Sequence, residues 1–329
     1  MATARRTGTG ESISTYGSGQ TYTALGTWES DTDNDNVTGN VSPVLACLAA
    51  QYDDTVVMSG STNDATRFRI IRPQASNFHT GVRGTGVRFY RTAAANVLTL
   101  SESNSHIQDV VARVQCNSGS NFGVFVSSTT GTLKFFVGCI AANGTNVGAG
   151  GVDGFSGNTN SQSARCIDCL GDNCDGSQFV NSNTHTLIMY NCTAIGGVFG
   201  FVRNAGTMTC KNCLAHGSSS ADFSGTITKT NCASEDATAD GTGARASQTF
   251  TFVNAGANNY HLSTADGGAK DFGTDLSADA TFAFDDDIDR ALFVTWDIGF
   301  DSVDTVTDSQ EWFGEFPAER GRSPIWVAY

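Results

Sequence analysis

Residues 135–144 read FFVGCIAANG, 164–173 ARCIDCLGDN, 187–196 LIMYNCTAIG, 208–217 MTCKNCLAHG and 227–236 ITKTNCASED. Aligned on Cys139, Cys169, Cys192, Cys213 and Cys232, these blocks recur at intervals of 30, 23, 21 and 19 residues. HIQDVVARVQ extends the series backward, with Val110 in the cysteine slot. Each block opens on a short β-prone stretch and runs into Gly, Asn or Ser. A second apolar stretch then carries Phe125, Phe155, Phe179, Phe201 or Phe223. The apolar residues alternate with period two over short runs, and Gly or Asn recurs too often for an amphipathic helix. A strand, a turn, a shorter strand and a turn in about 20–30 residues make one coil of a solenoid, which must stack on its neighbours to bury its inner face. Equivalent strands then pair in parallel and in register. The five cysteines are expected to stack inward as a ladder of small buried hydrophobes.

The surrounding composition fits an all-β solenoid. The 329 residues include 37 Gly but only 4 Pro, and 16% are charged where about 25% is usual. Low charge argues against disorder. With 19 basic and 33 acidic residues the net charge is −14, which disfavours nucleic acid as a partner. No apolar run reaches the ~18 residues of a membrane span. Residues 1–12, MATARRTGTGES, lack the apolar stretch of an export signal, so folding in a reducing cytosol and free thiols are expected. Cys166-x-x-Cys169 and Cys210-x-x-Cys213 mimic a four-thiolate zinc site. Residues i and i+3 of a strand face opposite sides unless the backbone turns between them, so no metal or other cofactor is expected.

The blocks GCIA, DCLG, NCTA, NCLA and NCAS resemble the coils of right-handed parallel β-helix proteins of the pectate-lyase-like class. Tyr22–Trp28 looks like the amphipathic cap of such proteins. The stretches Asn259–Ser263, Asp271–Ser277, Asp287-Ile-Asp289 and Trp296–Gly299 are similar to a closing segment, although Arg290 and Phe300 depart from its pattern. The resemblance spans about residues 20–300. It implies an arm (1–20), a cap with first coils (21–84), β-helix coils (85–235), a closing segment (236–301) and an aromatic tail (302–329). Relatives of this class include polysaccharide lyases and hydrolases, phage tailspikes and virion surface proteins, so fold alone does not assign an activity.

Enzymes of this architecture need clustered carboxylates, with Arg or Lys as base in the lyases. The candidates are Asp168, Asp172 and Asp175, with Arg165 and Arg203 one coil away on either side. The slot before each ladder cysteine reads Gly138, Asp168, Asn191, Asn212, Asn231, which suggests a stacked hydrogen-bonded ladder rather than a catalytic column. His185 and His216 fall at turns and are expected to be solvated. Asp285, Asp287 and Asp289 are calcium candidates without the Gly and distal Glu of an EF-hand loop, so a turn-and-cap role is the simpler reading. The tail holds Trp312, Phe313, Phe316, Trp326 and Tyr329, aromatics of the kind that anchor in partner pockets. Arg5 and Arg6 are expected to join them in docking. The leading reading is a non-enzymatic phage virion component, a capsid decoration or tail-associated β-helix, made in the host cytoplasm. Its partners would be other virion proteins or copies of itself, with a trimer as one option. The alternatives are an extracellular polysaccharide lyase or hydrolase and an adhesin for host-surface glycans.

Overall fold

The computed structural model describes residues 4–128, 133–157 and 163–303, and the backbone of 305–306. The chain forms a parallel β-helix with three long parallel sheets along the coil stack. Sheet 1 runs from Glu11–Tyr16 through Ser42–Cys47, Ile70–Pro73, His106–Gln108 and Lys134–Val137. It continues through Ser163–Ile167, Thr186–Tyr190 and Thr207–Lys211 to Thr228–Thr230. Sheet 2 holds the short strands that follow the cysteines, such as Ile140–Ala142, Leu170–Asp172, Thr193–Ile195 and Leu214–His216. Sheet 3 carries the phenylalanine strands, such as Phe122–Ser127, Val152–Gly157, Ser177–Asn181 and Phe199–Arg203.

Each coil therefore has three strands, not the two expected from the sequence. The reason is local. Asp109, Gly138, Asp168, Asn191, Asn212 and Asn231 all take the left-handed conformation, with φ between 48° and 59°. Each sits between a sheet 1 strand and a sheet 2 strand and breaks one apolar block into two. Gly, Asn and Asp are the residues that enter this region most cheaply. The residue type of the column thus follows from backbone geometry before any side-chain bonding.

The corner also sets the inner packing. Cys139, Cys169, Cys192, Cys213 and Cys232 follow it directly and are fully buried. Each Sγ lies 3.3–3.5 Å from the carbonyl two residues before it and 3.3–3.5 Å from a carbonyl on the preceding coil. Because the chain turns at Asp168 and Asn212, Cys166 and Cys210 also face inward, against the alternation expected of an unbroken strand. All ten cysteines are free thiols. Two positions past the ladder cysteines, sheet 2 presents Ala141, Gly171, Ala194, Ala215 and Ser234 in register, which keeps the lumen narrow there. Opposite, Phe125, Phe155, Phe179, Phe201 and Phe223 stack at 4.7–4.9 Å, nearly parallel. On sheet 1 the inner row is Leu45, Ile71, Ile107, Phe136, Cys166, Met189 and Cys210.

The helix Leu25–Asp31 lies at the first coils, with Leu25 and Trp28 fully buried in the core. Arg69, itself fully buried, holds it there. Its guanidinium donates to Glu102 Oε1 at 2.8 Å, to the Glu29 carbonyl at 2.9 Å and to the Ser59 carbonyl at 2.7 Å.

The segments outside the coils differ from expectation. The arm is not free, because Glu11–Tyr16 pairs along its length with Ser42–Cys47 as the first strand of sheet 1. At the other end only a short stretch closes the last coil, through bridges Thr230 to Thr242 and Ala233 to Arg245. The chain then runs back along the outside as a strap. Its Leu276, Phe282 and Phe284 cover Phe135, Val137, Ile167 and Tyr190 on sheet 1, while Tyr260, Ile288 and Phe300 cover Val111, Ile140 and Leu170 on sheet 2. Those strands are apolar on both faces, so an outer cover is required.

The left-handed corner is testable at Asn191, whose buried amide has no hydrogen-bond partner. Asn191→Gly is expected to be more stable than Asn191→Ala by about 1 kcal/mol, because only Ala brings a Cβ into the left-handed region. Denaturant titration of both variants measures the difference, and equal stabilities would refute the corner's conformational origin.

Candidate functional site

The charged residues singled out in the sequence bond to different partners. They divide among separate structural tasks. The densest constellation is a clasp in which Arg5, from the arm, is buried between the coils and the strap. Its Nε donates to Asp109 Oδ1 at 2.8 Å, and Nη1 donates to Asp286 Oδ2 at 2.9 Å and to the Asp287 carbonyl at 2.8 Å. Nη2 donates to the Ile288 carbonyl at 3.1 Å, and the Ala4 amide donates to Asp286 Oδ1 at 2.6 Å. Asp168 completes the ring 3.6 Å from Arg5 Nη1. Its carboxylate is fully buried, and neither oxygen has a hydrogen-bond partner. Burial holds Asp168 well above the usual carboxylate range, and the Arg5 charge only partly offsets this. Burial raises Asp286 as well.

The clasp uses the corner column. Asp109 and Asp168 are corner residues, and Gly138 lies between them. A Cβ on Gly138 would stand 2.4 Å from an Arg5 guanidinium nitrogen and 2.3 Å from Asp109 Oδ1, so glycine leaves the room Arg5 occupies. Further along, Asn212 accepts the Thr274 amide at 2.9 Å and donates to the Thr274 carbonyl at 2.8 Å. Asn231 donates to the Phe272 carbonyl at 3.0 Å. The column therefore bonds outward to the strap rather than along itself. Arg5 docks inside its own chain, so the expectation that it reaches a neighbouring subunit is corrected, while Arg6 is exposed and lies over the Phe282 ring at 4.5 Å.

The other candidates are equally engaged. Asp172 is fully buried, pairs with Arg83 at 3.1 Å and accepts from Asn173 at 2.8 Å. Burial pushes it up to about 6, against the pull of Arg83. Arg83 in turn bonds Asn258, and Asn173 bonds the Tyr260 hydroxyl, which ties this corner of the coil to the strap. Asp175 accepts the amides of Asn146 and Val152. Arg203 donates to the Gly206 carbonyl at 2.6 Å, inside its own turn. His185 is fully buried, not solvated as expected, and His216 pairs with Glu235 at 3.0 Å.

The carboxylates of the run Asp285–Asp289 point to different partners. Asp286 faces Arg5, and Asp287 Oδ1 is filled by the amides of Asp289 and Ala291 at 2.9 Å each. Asp289 turns the other way, toward His261, with 3.0 Å between Nε2 and Oδ2. The tail aromatics Trp312, Phe313, Phe316, Trp326 and Tyr329 lie outside the described residues. The sequence offered no signal for the role of Arg5, because a lone basic residue near a terminus ordinarily reads as a solvated charge.

No helix among the described residues is long and apolar enough to cross a membrane. Comparison with protein-family models, with curated proteins and with solved structures finds no match.

Two predictions follow from these charges. Arg5→Met keeps the stem but leaves three buried carboxylates without their cation, and should cost about 3–5 kcal/mol at neutral pH. The loss should shrink on acidification, because Asp168 and Asp286 hold protons more strongly folded than unfolded. For Asp172, a folded value near 6 against about 3.9 unfolded favours folding below about pH 4, and that advantage disappears as pH rises through 6. Asp172→Asn should therefore be more stable than the parent chain at pH 8, by on the order of 2 kcal/mol, and converge with it near pH 4. Urea titrations across this range check both signs.

Proposed function

We propose that the protein is a non-enzymatic structural β-helix of a phage virion, serving as a capsid decoration or a tail-associated rod. The observation that carries this reading is the commitment of its acidic residues. Asp168 faces Arg5, Asp172 holds Arg83 and Asp175 caps two backbone amides, so the three carboxylates that the sequence offered to a lyase or hydrolase are fastenings of the fold. A general acid or base must reach substrate protons. Asp168 and Asp172 are fully buried under the arm and the strap. What supports a scaffold is the continuity of the inner ladders from coil to coil, which yields a stiff acidic rod. A net charge of −14 also repels polyanionic substrates at low salt.

With Arg5 and the first strand engaged in the fold, docking falls to the tail beyond Val306. Its aromatics would anchor on other virion proteins or on copies of this chain. The expected outcome is that the full chain assembles, a trimer being one closed form, while a chain ending at Val306 sediments as a monomer with an unchanged melting temperature. Sedimentation velocity and thermal melts of the two chains measure this. Unfolding of the shortened chain would make the tail part of the fold and remove the docking argument. The same preparations should release no unsaturated uronate from polyuronides. Turnover that disappears in Asp172→Ala would replace the structural reading with the lyase one. Saturable binding to a host-surface glycan would favour the adhesin.

A further inference from the structure

His261, Asp289 and Asp301 meet on the strap beside the clasp, and one donor atom from each lies within 4.8 Å of the others. They come from three separate pieces of chain: the strand Asn259–Leu262, the end of the 285–289 run, and the residues after Gly299. The protonation of the imidazole is set by its neighbour. Asn259 Oδ1 accepts the His261 backbone amide at 3.2 Å, so the amide oxygen faces the ring, and Nδ1 at 2.6 Å from that oxygen carries the ring proton. Nε2 is then the acceptor nitrogen. It is buried, lies 3.0 Å from Asp289 Oδ2, and aligns with no hydrogen-bond partner.

Two acceptors at that distance need a positive charge between or beside them. Arg5, His79 and Arg290 lie near enough to act on Asp289, while two further carboxylates, Asp301 and Asp287, add negative charge. Asp301 is 5% exposed, and its carboxylate makes a single hydrogen bond, from the Leu262 amide to Oδ2 at 2.9 Å. Asp287, 1% exposed, stands behind as a third carboxylate. Gly81 closes over the ring in a left-handed conformation, where a Cβ would stand 2.2 Å from Nε2. A histidine whose Nδ1–H is held by an oxygen acceptor is the arrangement that fixes an imidazole as a metal ligand.

We propose that His261 Nε2, Asp289 and Asp301 bind one divalent transition-metal ion of the zinc type, which cross-links three pieces of the strap. One imidazole nitrogen and two carboxylate oxygens suit this class of ion. A fourth position is left for water on the side of Asp289, whose side chain is 40% exposed. Bonds of about 2.1 Å place tetrahedral donors about 3.4 Å apart. The set must therefore contract by about an ångström, which the exposed Asp289 can supply by a rotamer change.

The test uses the full chain, freed of metal with a chelator and then titrated with zinc chloride by calorimetry, with thermal melts and cobalt spectra alongside. The expected result is one ion per chain, a melting temperature several degrees higher, and cobalt bands in the visible without thiolate charge transfer. Asp289→Asn, at an exposed position, should keep the circular dichroism of the parent and bind zinc at least ten-fold more weakly. His261→Gln should do the same. Unchanged affinity in both variants, or thiolate charge transfer from the cysteines, would overturn the proposal. So would an absence of binding combined with a melting temperature that rises only on acidification, because a proton would then be the bridging charge.

Discussion

The left-handed corner between sheets 1 and 2 is the constraint on which the rest of the molecule depends. One residue per coil, with φ near +50°, converts a continuous apolar block into two strands set at an angle. The conformation is costly for most side chains and cheap for Gly, Asn and Asp, so the chain spends those residues there. Once the corner is fixed, the next residue must point inward, and only a small side chain fits between consecutive coils at that point. Cysteine fills the space, and its sulfur rests on carbonyls of its own coil and the coil before. The phenylalanine stack on sheet 3 then occupies the wide part of the lumen opposite the narrow Ala and Gly row of sheet 2. Ladders of identical residues are a consequence of parallel register, not an independent source of order.

The same corner has an outer side, and there the column changes character along the rod. Where Asp109 and Asp168 occupy it, the corner binds the cation of Arg5. Where Asn212 and Asn231 occupy it, the corner hydrogen-bonds the backbone of the strap. Neutral amides suit peptide groups, and carboxylates suit a guanidinium, so the choice between Asn and Asp in a geometrically equivalent slot records what lies outside. The cost is the burial of several carboxylates. A buried pair or ring of charges contributes little net stability but is expensive to break. The clasp therefore acts as a specificity device that brings the two ends of the chain to one place on the coil stack.

This organisation bears on function through what it uses up. Asp168 and Asp172 are fastenings that tie the coils to the arm and the strap. Beside these fastenings, His261, Asp289 and Asp301 meet on the strap, with His261 Nε2 3.0 Å from Asp289 Oδ2.

The sequence by itself determined the solenoid, the positions of its coils and the inward cysteines, because parallel stacking imposes one repeating set of demands on each block. The recurrence of Cys and Phe at shortening intervals was enough to see them. It also marked the left-handed slot as a column of Gly, Asp and Asn, though its meaning as a corner required the backbone angles. Only the tertiary structure decided where the acids went. Asp168, Asp172 and Asp175 are close in sequence, and nothing in their spacing indicates that one faces Arg5, one faces Arg83 and one caps amides. Nor does the run Asp285–Asp289 indicate that its members diverge toward Arg5 and His261. Periodic apolar patterns are local and repeat within each coil, so they are legible along the chain. Charge pairing joins residues as far apart as 5 and 286, and it is fixed only when the strap folds back over the rod.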